Sequence, residues 1–144
     1  MGWLNNLSGK TVALDSAPLI YFVEATPLFA ERIQPFFEAL GRAEFKVLTS
    51  TLTITEALVK PIRHGQIDKI AVFKEILERH IDIVPATTQI AELAARLRAT
   101  HNLKTPDAIQ IATALDQKAD FFLTNDAKLS RLPQPQVLVL ADLS

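Results

Sequence analysis

The chain has 144 residues, of which 49% are hydrophobic and 22% charged, a composition that excludes a disordered segment, a collagen-like fibre or a disulfide-stapled mini-protein. It contains no cysteine, which also excludes thiol catalysis, cysteine-ligated zinc and iron–sulfur chemistry. Fifteen basic and 16 acidic residues leave a formal net charge of −1, so no global basic field would draw the chain onto nucleic acid.

Short apolar runs alternate with longer helical patterns from the start of the chain. After residues 1–9, which we expect to be a loose leader, residues 11–14 are predicted as a buried strand and residues 17–25 as a helix. Residues 28–41 have helical spacing, with a Pro35 that should kink or restart the helix. The later predicted elements, in chain order, are a strand at 46–49, a helix over 51–59 stopped by Pro61, a helix over 66–80, a strand at 81–84, helices around 90–97 and from 105 to 115, and strands at 121–124 and 137–140.

This alternation predicts the fold class. Strands separated by helices of this length form βαβ units, in which a parallel sheet is covered by helices on both faces. We expect a single α/β domain over residues 1–144, a three-layer α/β/α sandwich with a small, mostly parallel central sheet of about five strands. The chain start lacks a secretory signal and no apolar run approaches the roughly 20 residues that span a bilayer, so we expect a cytoplasmic protein without membrane contact.

Four acidic residues stand where such a sheet binds its ligands, which is beyond the carboxyl ends of the strands. Asp15 follows the first strand, and Glu56 lies on the helix after the second. Asp107 is in the first turn of the helix that Thr105-Pro106 opens, and Asp126 follows the strand at 121–124. We expect the fold to bring these dispersed carboxylates to one crevice.

Each acid also has a purely structural explanation. Asp15 and Asp126 could cap the helical segments that follow them. The segment Thr53 to Glu56 matches a capping box, and Asp107 at a helix start is favoured by the helix dipole. For any one acid alone the structural explanation is the stronger of the two. The joint position of all four favours a shared site.

Convergence of like charges predicts a cation. Two carboxylates about 4 Å apart repel by roughly 4 kcal/mol at an effective dielectric constant of 20, and a divalent ion would offset that repulsion. Oxygen-only ligands favour Mg²⁺ or Mn²⁺ over zinc. Such an ion polarises a phosphoryl oxygen and activates a water, which predicts phosphodiester hydrolysis. The three histidines, at 64, 80 and 101, show no metal-ligand spacing.

The segments around these acids resemble the PIN-domain ribonucleases, and most closely the toxin subunits of VapBC-type toxin–antitoxin pairs. The resemblance covers nearly the whole chain and rests on residues 12–16 with 19–21, 53–58, 103–114, and 122–126 with 129–132. It implies a Mg²⁺- or Mn²⁺-dependent endoribonuclease whose products carry 5′-phosphate and 3′-hydroxyl ends. It further implies one or two metal ions on Asp15, Glu56, Asp107 and Asp126, and a site oriented by Thr124 with Asn125 as its neighbour. A cognate antitoxin and a homodimer are the partners that it implies.

Several residues are left with two explanations. Glu24 could join the acidic pocket or end a solvated helix, and the cations Lys60, Arg63, His64, Lys104, Lys128 and Arg131 could grip RNA phosphates or lie free on the surface. The apolar residues of 19–23 and 54–59, with Phe29, Phe36 and Phe37, could form a groove for an antitoxin helix or pack in the core.

Three other functions remain open. One is a housekeeping RNA-processing nuclease without an antitoxin, and another is a catalytically inactive binding module of the same fold. A phosphatase or receiver-type domain is the third, but the phosphatase needs a second Asp two residues after the first, where this chain has Ala17.

Overall fold

The computed structural model describes residues 2–143, and within these the chain forms five β-strands and six α-helices. The strands are β1 (Thr11–Leu14), β2 (Lys46–Ser50), β3 (Asp82–Val84), β4 (Phe121–Thr124) and β5 (Gln136–Val139). The helices are α1 (Ser16–Val23), α2 (Phe29–Gly41), α3 (Thr51–Arg63), α4 (Ile67–Arg79), α5 (Thr88–His101) and α6 (Thr105–Asp116). Short 3₁₀ turns occupy Gly2–Leu7, Ala127–Arg131 and Leu140–Asp142. None of the described helices is both long and apolar enough to cross a membrane.

The sheet is parallel throughout, in the order β3-β2-β1-β4-β5. Val12 of β1 lies opposite Val47 on one side and Phe121 on the other. The chain builds outward from β1 to β3, then returns to the other side of β1 to place β4 and β5. The order therefore reverses between β1 and β4, and the crevice beyond that reversal is where open parallel sheets bind ligands.

Alternate residues of the central strands enter two separate hydrophobic cores. Val12 and Leu14 pack with α1 to α4, while Ala13, between them, packs with α5 and α6. Leu123 and Phe122 of β4 divide in the same way. Because successive strand residues point to opposite faces, this division places helices on both sides of the sheet. The predicted three-layer α/β/α sandwich is confirmed.

Two prolines interrupt their helices less than we expected. Helix α2 continues through Pro35 without restarting, and α3 runs two residues beyond Pro61, so the prediction that Pro61 stops the helix is wrong. Pro61 lies in the last turn, where only one backbone hydrogen bond is lost, and its ring is buried. The helix ends instead at Arg63, and the chain leaves it through Gly65, which has a φ of +64° and is followed by the Gln66 N–H that donates to the Pro61 carbonyl at 2.8 Å.

The first residues are part of the fold, so the expectation of a loose leader over 1–9 is wrong for residues 2–9, Met1 lying outside the described residues. Leu7 is completely buried in the core beside α2. The Trp3 ring stacks on Phe36, with centroids 5.9 Å apart and planes inclined by 9°. Gly9 donates to the Glu44 carbonyl at 2.9 Å. Apolar burial in Leu7 and Trp3 offsets the entropy of ordering this segment.

Candidate active site

Asp15 lies at the reversal of strand order, directly after β1, and both of its carboxylate oxygens accept hydrogen bonds. Oδ1 accepts from the Ser16 N–H at 2.8 Å, and Oδ2 accepts from the Thr124 hydroxyl at 2.7 Å. Thr124 is the last residue of β4 and is completely buried. Asp15 also occupies the N-cap position of α1, so the structural explanation of this acid is correct as far as it goes. The two hydrogen bonds fix the direction of the carboxylate between α1 and β4.

The pKa of Asp15 is not the one expected of a carboxyl group that only caps a helix. Burial raises the pKa of this carboxyl group from 3.8 to about 6, against the hydrogen bonds from Thr124 and Ser16, which lower it. The charges of Asp107 and Glu56 raise the pKa further. Three of the four predicted acids are therefore close enough for their charges to interact. At neutral pH, Asp15 is an ionised carboxylate in an unfavourable environment.

The pKa of Asp107 shows that Asp126 also lies close to the other acids. It stands in the first turn of α6, and burial followed by the charge of Asp126 raises its pKa, with a smaller effect from Glu56. Lys104 and Lys128 act in the opposite direction and lower the pKa. The four acids thus form one set of interacting charges at the crevice, with two lysines beside it.

Glu56 and Asp126 differ in how far their structural explanations hold. Helix α3 is capped by Ser50, whose hydroxyl accepts from the Leu52 N–H at 3.1 Å, so the capping box that the sequence suggested for Glu56 is wrong. No cap role remains for this half-buried side chain. Asp126 does cap the 3₁₀ turn that follows it, accepting from the Lys128 N–H at 3.0 Å. Its own N–H donates to the Thr124 hydroxyl at 3.1 Å, which links it to Asp15 through one side chain.

The donor set at the crevice fits Mg²⁺ or Mn²⁺ in its chemistry. Its charged groups are carboxylates, and hard oxygen ligands are those that both ions prefer. Burial and then mutual repulsion raise the pKa values of Asp15 and Asp107, and a cation would offset the cost of both. Among residues 2–143, no three Asp, Glu, His or Cys side chains stand in an arrangement that is ready to hold a metal ion.

The side chains of Glu24 and Asn125, the two further candidates for the site, are each bound to other residues of the fold. The Glu24 side chain is 10% exposed and forms an ion pair with Lys69 at 2.5 Å, so it does not end a solvated helix. Asn125 donates to the Tyr21 hydroxyl at 3.2 Å and accepts from the Ala141 N–H at 2.9 Å. It therefore joins α1 to the end of the chain beside the site.

The cations divide into three groups. Lys104 and Lys128 lie near enough to Asp107 to influence its pKa. Arg131 donates to the His101 carbonyl at 2.6 Å, which gives it a structural contact. Lys60 and Arg63 are exposed in the last turn of α3.

The apolar residues that the sequence left open are divided between core and surface. Leu19, Phe36 and Phe37 are buried in the core. Val59 is 47% exposed, and Ile62, which lies one turn further along α3 and outside the predicted set, is 60% exposed. They border a shallow apolar groove of about 510 Å³ along α3.

Three buried polar residues that the sequence analysis did not select lie between the acid-bearing elements. Thr49, Thr53 and Gln110 are 1%, 0% and 3% exposed, and the Thr53 hydroxyl is hydrogen-bonded to both of the others. The sequence feature that could have identified Gln110 is its position as a polar residue within the apolar run 108–112. It follows Asp107 by three residues and so lies on the same helix face. Thr49 is the last residue of the apolar strand that the sequence predicts at 46–49, just as Thr124 is the last residue of the strand predicted at 121–124.

The chain is similar to known proteins both in sequence pattern and in fold. The family model described as PIN domain matches residues 12–135. Among curated protein sequences, none matches the chain. One similar solved structure is VapBC2 from Rickettsia felis bound to a promoter DNA fragment, with a TM-score of 0.73, 14% identity and coverage of 90% of this chain and 98% of that one. A toxin–antitoxin complex from Klebsiella pneumoniae has a TM-score of 0.71, 22% identity and coverage of 90% and 97%. The sarcin-ricin loop cleaving toxin VapC20 from Mycobacterium tuberculosis has a TM-score of 0.63, 14% identity and coverage of 77% and 86%. At these identities the likeness is one of fold.

Proposed function

Because this chain belongs to the PIN-domain family, we propose that it is a Mg²⁺- or Mn²⁺-dependent endoribonuclease that hydrolyses RNA phosphodiester bonds. The observation that carries the proposal is the Asp15 carboxylate at the reversal of strand order, whose pKa is raised first by burial and then by the charges of Asp107 and Glu56. A fold that needed only a helix cap at this position would gain nothing from placing two more carboxylates beside it.

The proposed roles follow from the donor chemistry. Asp15, Glu56, Asp107 and Asp126 would hold the cation, which supplies polarisation of a phosphoryl oxygen and a lowered pKa for a bound water. Thr124 orients one oxygen of Asp15 through its hydroxyl, at 2.7 Å. Lys104 and Lys128 would bind the RNA phosphates next to the scissile bond, because they are the cations whose charges reach Asp107. Local cations of this kind let an acidic site approach RNA despite the net charge of −1.

We further propose that the nuclease, one domain over residues 1–144, acts in the cytoplasm as the toxin of a toxin–antitoxin pair and forms a homodimer. The likeness in fold to the Rickettsia and Klebsiella toxin–antitoxin structures supports this choice over a housekeeping nuclease. The exposed apolar residues of α3, Val59 and Ile62, supply a surface of the kind that a partner chain covers. A small gene next to this one, encoding a DNA-binding antitoxin, would support the toxin; its absence would favour the housekeeping nuclease.

The test is cleavage of total cellular RNA with Mn²⁺ or Mg²⁺, with and without a chelator, followed by mapping of the cut sites. We expect cleavage that the chelator stops and that Asp107→Asn abolishes. Asp116→Asn is the matched control, since Asp116 is an exposed carboxylate at the opposite end of the same helix. Cleavage that persists in the chelator, or in Asp107→Asn, would refute the proposed mechanism.

A further inference from the structure

We propose that Thr49, Thr53 and Gln110 are positioning residues that form a buried brace between the elements carrying Asp15, Glu56 and Asp107. This inference rests on the proposed nuclease function. The three residues are at most 3% exposed and join β2, α3 and α6: Thr49 is next to the last residue of β2, Thr53 is in the first turn of α3, and Gln110 is in the middle of α6.

The hydrogen bonds of the brace run in one direction. The Thr49 hydroxyl donates to the Leu14 carbonyl at 2.7 Å, which uses its single hydrogen. The bond of 2.7 Å between the hydroxyls of Thr49 and Thr53 must therefore be donated by Thr53. Thr53 in turn accepts from the Gln110 side-chain N–H at 2.8 Å. The chain of donors runs from α6 through α3 and β2 to β1, and each hydroxyl in it both donates and accepts once.

Two of the braced residues share a helix face with an acid. Thr53 precedes Glu56 by three residues on α3, and Gln110 follows Asp107 by three residues on α6. Residues three apart lie on one face of a helix, one above the other. The bond between Gln110 and Thr53 therefore sets the distance between the faces that carry Glu56 and Asp107. The two carboxylates remain free to turn toward a cation, while the helices that bear them do not separate.

The far end of the brace acts on Asp15. The register of β1 with β2 stops at Ala13 and Leu48, and the Thr49 side chain continues it by binding the Leu14 carbonyl. On the other side of the same peptide, the Asp15 N–H donates to the Leu123 carbonyl at 2.9 Å. The Leu14–Asp15 peptide is thus held from β2 and from β4. Apolar residues at the three brace positions could fill the same space without a desolvation cost, but they would not set these distances and directions.

The experiment compares Thr53→Val, which keeps the shape and removes the hydroxyl, with Thr53→Ser, which keeps the hydroxyl. Thr113→Val is the matched control, because Thr113 is a buried threonine on α6 whose hydroxyl donates only within its own helix, to the Ile109 carbonyl at 2.7 Å. For each protein the Mn²⁺ dissociation constant is measured by calorimetry, kcat and KM by RNA cleavage, and Tm by thermal unfolding.

We expect Thr53→Val to weaken Mn²⁺ binding and lower kcat, each roughly tenfold, with KM unchanged, since small misplacements of catalytic groups cost rate rather than substrate affinity. Thr53→Ser should recover most of both losses. Thr113→Val should lower Tm less than Thr53→Val does, because it breaks one hydrogen bond rather than two, and should leave Mn²⁺ binding and kcat at the level of the unmodified protein.

Equal Mn²⁺ affinity and kcat in Thr53→Val and Thr113→Val would overturn the brace, as would a failure of Thr53→Ser to recover them. If Thr53→Val does not fold, Gln110→Met, which breaks the same bond from the other side, takes its place with the same expected losses. If the unmodified protein neither binds Mn²⁺ nor cleaves RNA, the proposed function fails first and the brace falls with it.

Discussion

Replacing Asp15 by asparagine should make the metal-free protein more stable at neutral pH while it abolishes cleavage. The burial of Asp15 and its proximity to Asp107 and Glu56 raise the pKa of this carboxyl group from 3.8 to about 6. A raised pKa in the folded state means that folding favours the protonated form. The stability that Asp15 contributes is therefore complete below pH 3.8 and is lost as the pH rises through about 6.

The magnitude follows from that rise of about two pH units. Each unit corresponds to about 1.4 kcal/mol, so the ionised carboxylate costs the folded state about 3 kcal/mol at pH 7.5 and about 1 kcal/mol at pH 4.5. Asparagine carries no charge but loses about 1 kcal/mol, because its amide cannot accept both hydrogen bonds that Ser16 and Thr124 donate. We expect a net gain of about 2 kcal/mol at pH 7.5 and almost none at pH 4.5.

The assay is thermal unfolding of both proteins in a chelator at these two pH values. For a chain of this length, about 2 kcal/mol corresponds to roughly 6 °C in Tm. Asp116→Asn, an exposed carboxylate exchanged in the same way, should leave Tm unchanged at both pH values. A metal-free Asp15→Asn protein that is no more stable than the unmodified one at pH 7.5 would refute the view that this carboxylate is held at an energetic cost.

Two further outcomes test the site and the chain start. Mn²⁺ should raise Tm at pH 7.5, because a hundredfold excess over its dissociation constant adds about 2.7 kcal/mol to the free energy of unfolding. The rise in Tm should be much smaller at pH 5, where protons compete for Asp15 because its pKa is about 6. An equal rise in Tm at both pH values would place the ion elsewhere. Leu7→Ala should destabilise the protein by about 3 kcal/mol in guanidinium unfolding, because Leu7 is completely buried, whereas Asn5→Ala, on the same 3₁₀ turn but exposed, should change stability by less than about 0.5 kcal/mol. A loss below 1 kcal/mol in Leu7→Ala would show that residues 2–9 are a loose leader after all.

The elements with a continuous apolar pattern could be predicted almost to the residue. Strands β1 and β4 begin and end where the sequence places them, because both of their faces are buried and polar residues follow directly. The same reasoning placed Asp15 and Asp126 at the carboxyl ends of strands that prove to be neighbours. A parallel alternation of strands and helices has few ways to fold, so local pattern determined much of the global arrangement.

The rest depended on contacts that only the folded chain creates. The burial of Leu7 and the stacking of Trp3 on Phe36 need α2 in place, so residues 2–9 looked like a leader in the sequence. The Thr53 hydroxyl looked like half of a capping box because its true partners, Thr49 and Gln110, are set by tertiary packing. Sequence spacing shows which residues share a helix face, but it does not show which buried side chain that face will meet.

The hydrogen bonds at Asp15 explain how a buried acid can still serve a cation at neutral pH. Burial and the charges of Asp107 and Glu56 raise its pKa, whereas the bonds from Thr124 and Ser16 lower it, and the balance at about 6 leaves the group ionised above that pH. Without those two bonds the group would hold its proton further into the neutral range, and a proton would then compete with the metal ion. With full solvation the pKa would return toward 3.8, and little electrostatic cost would remain for a cation to relieve. The buried Thr124 hydroxyl, at the end of β4, therefore favours the ionised form of the carboxylate and also fixes its direction.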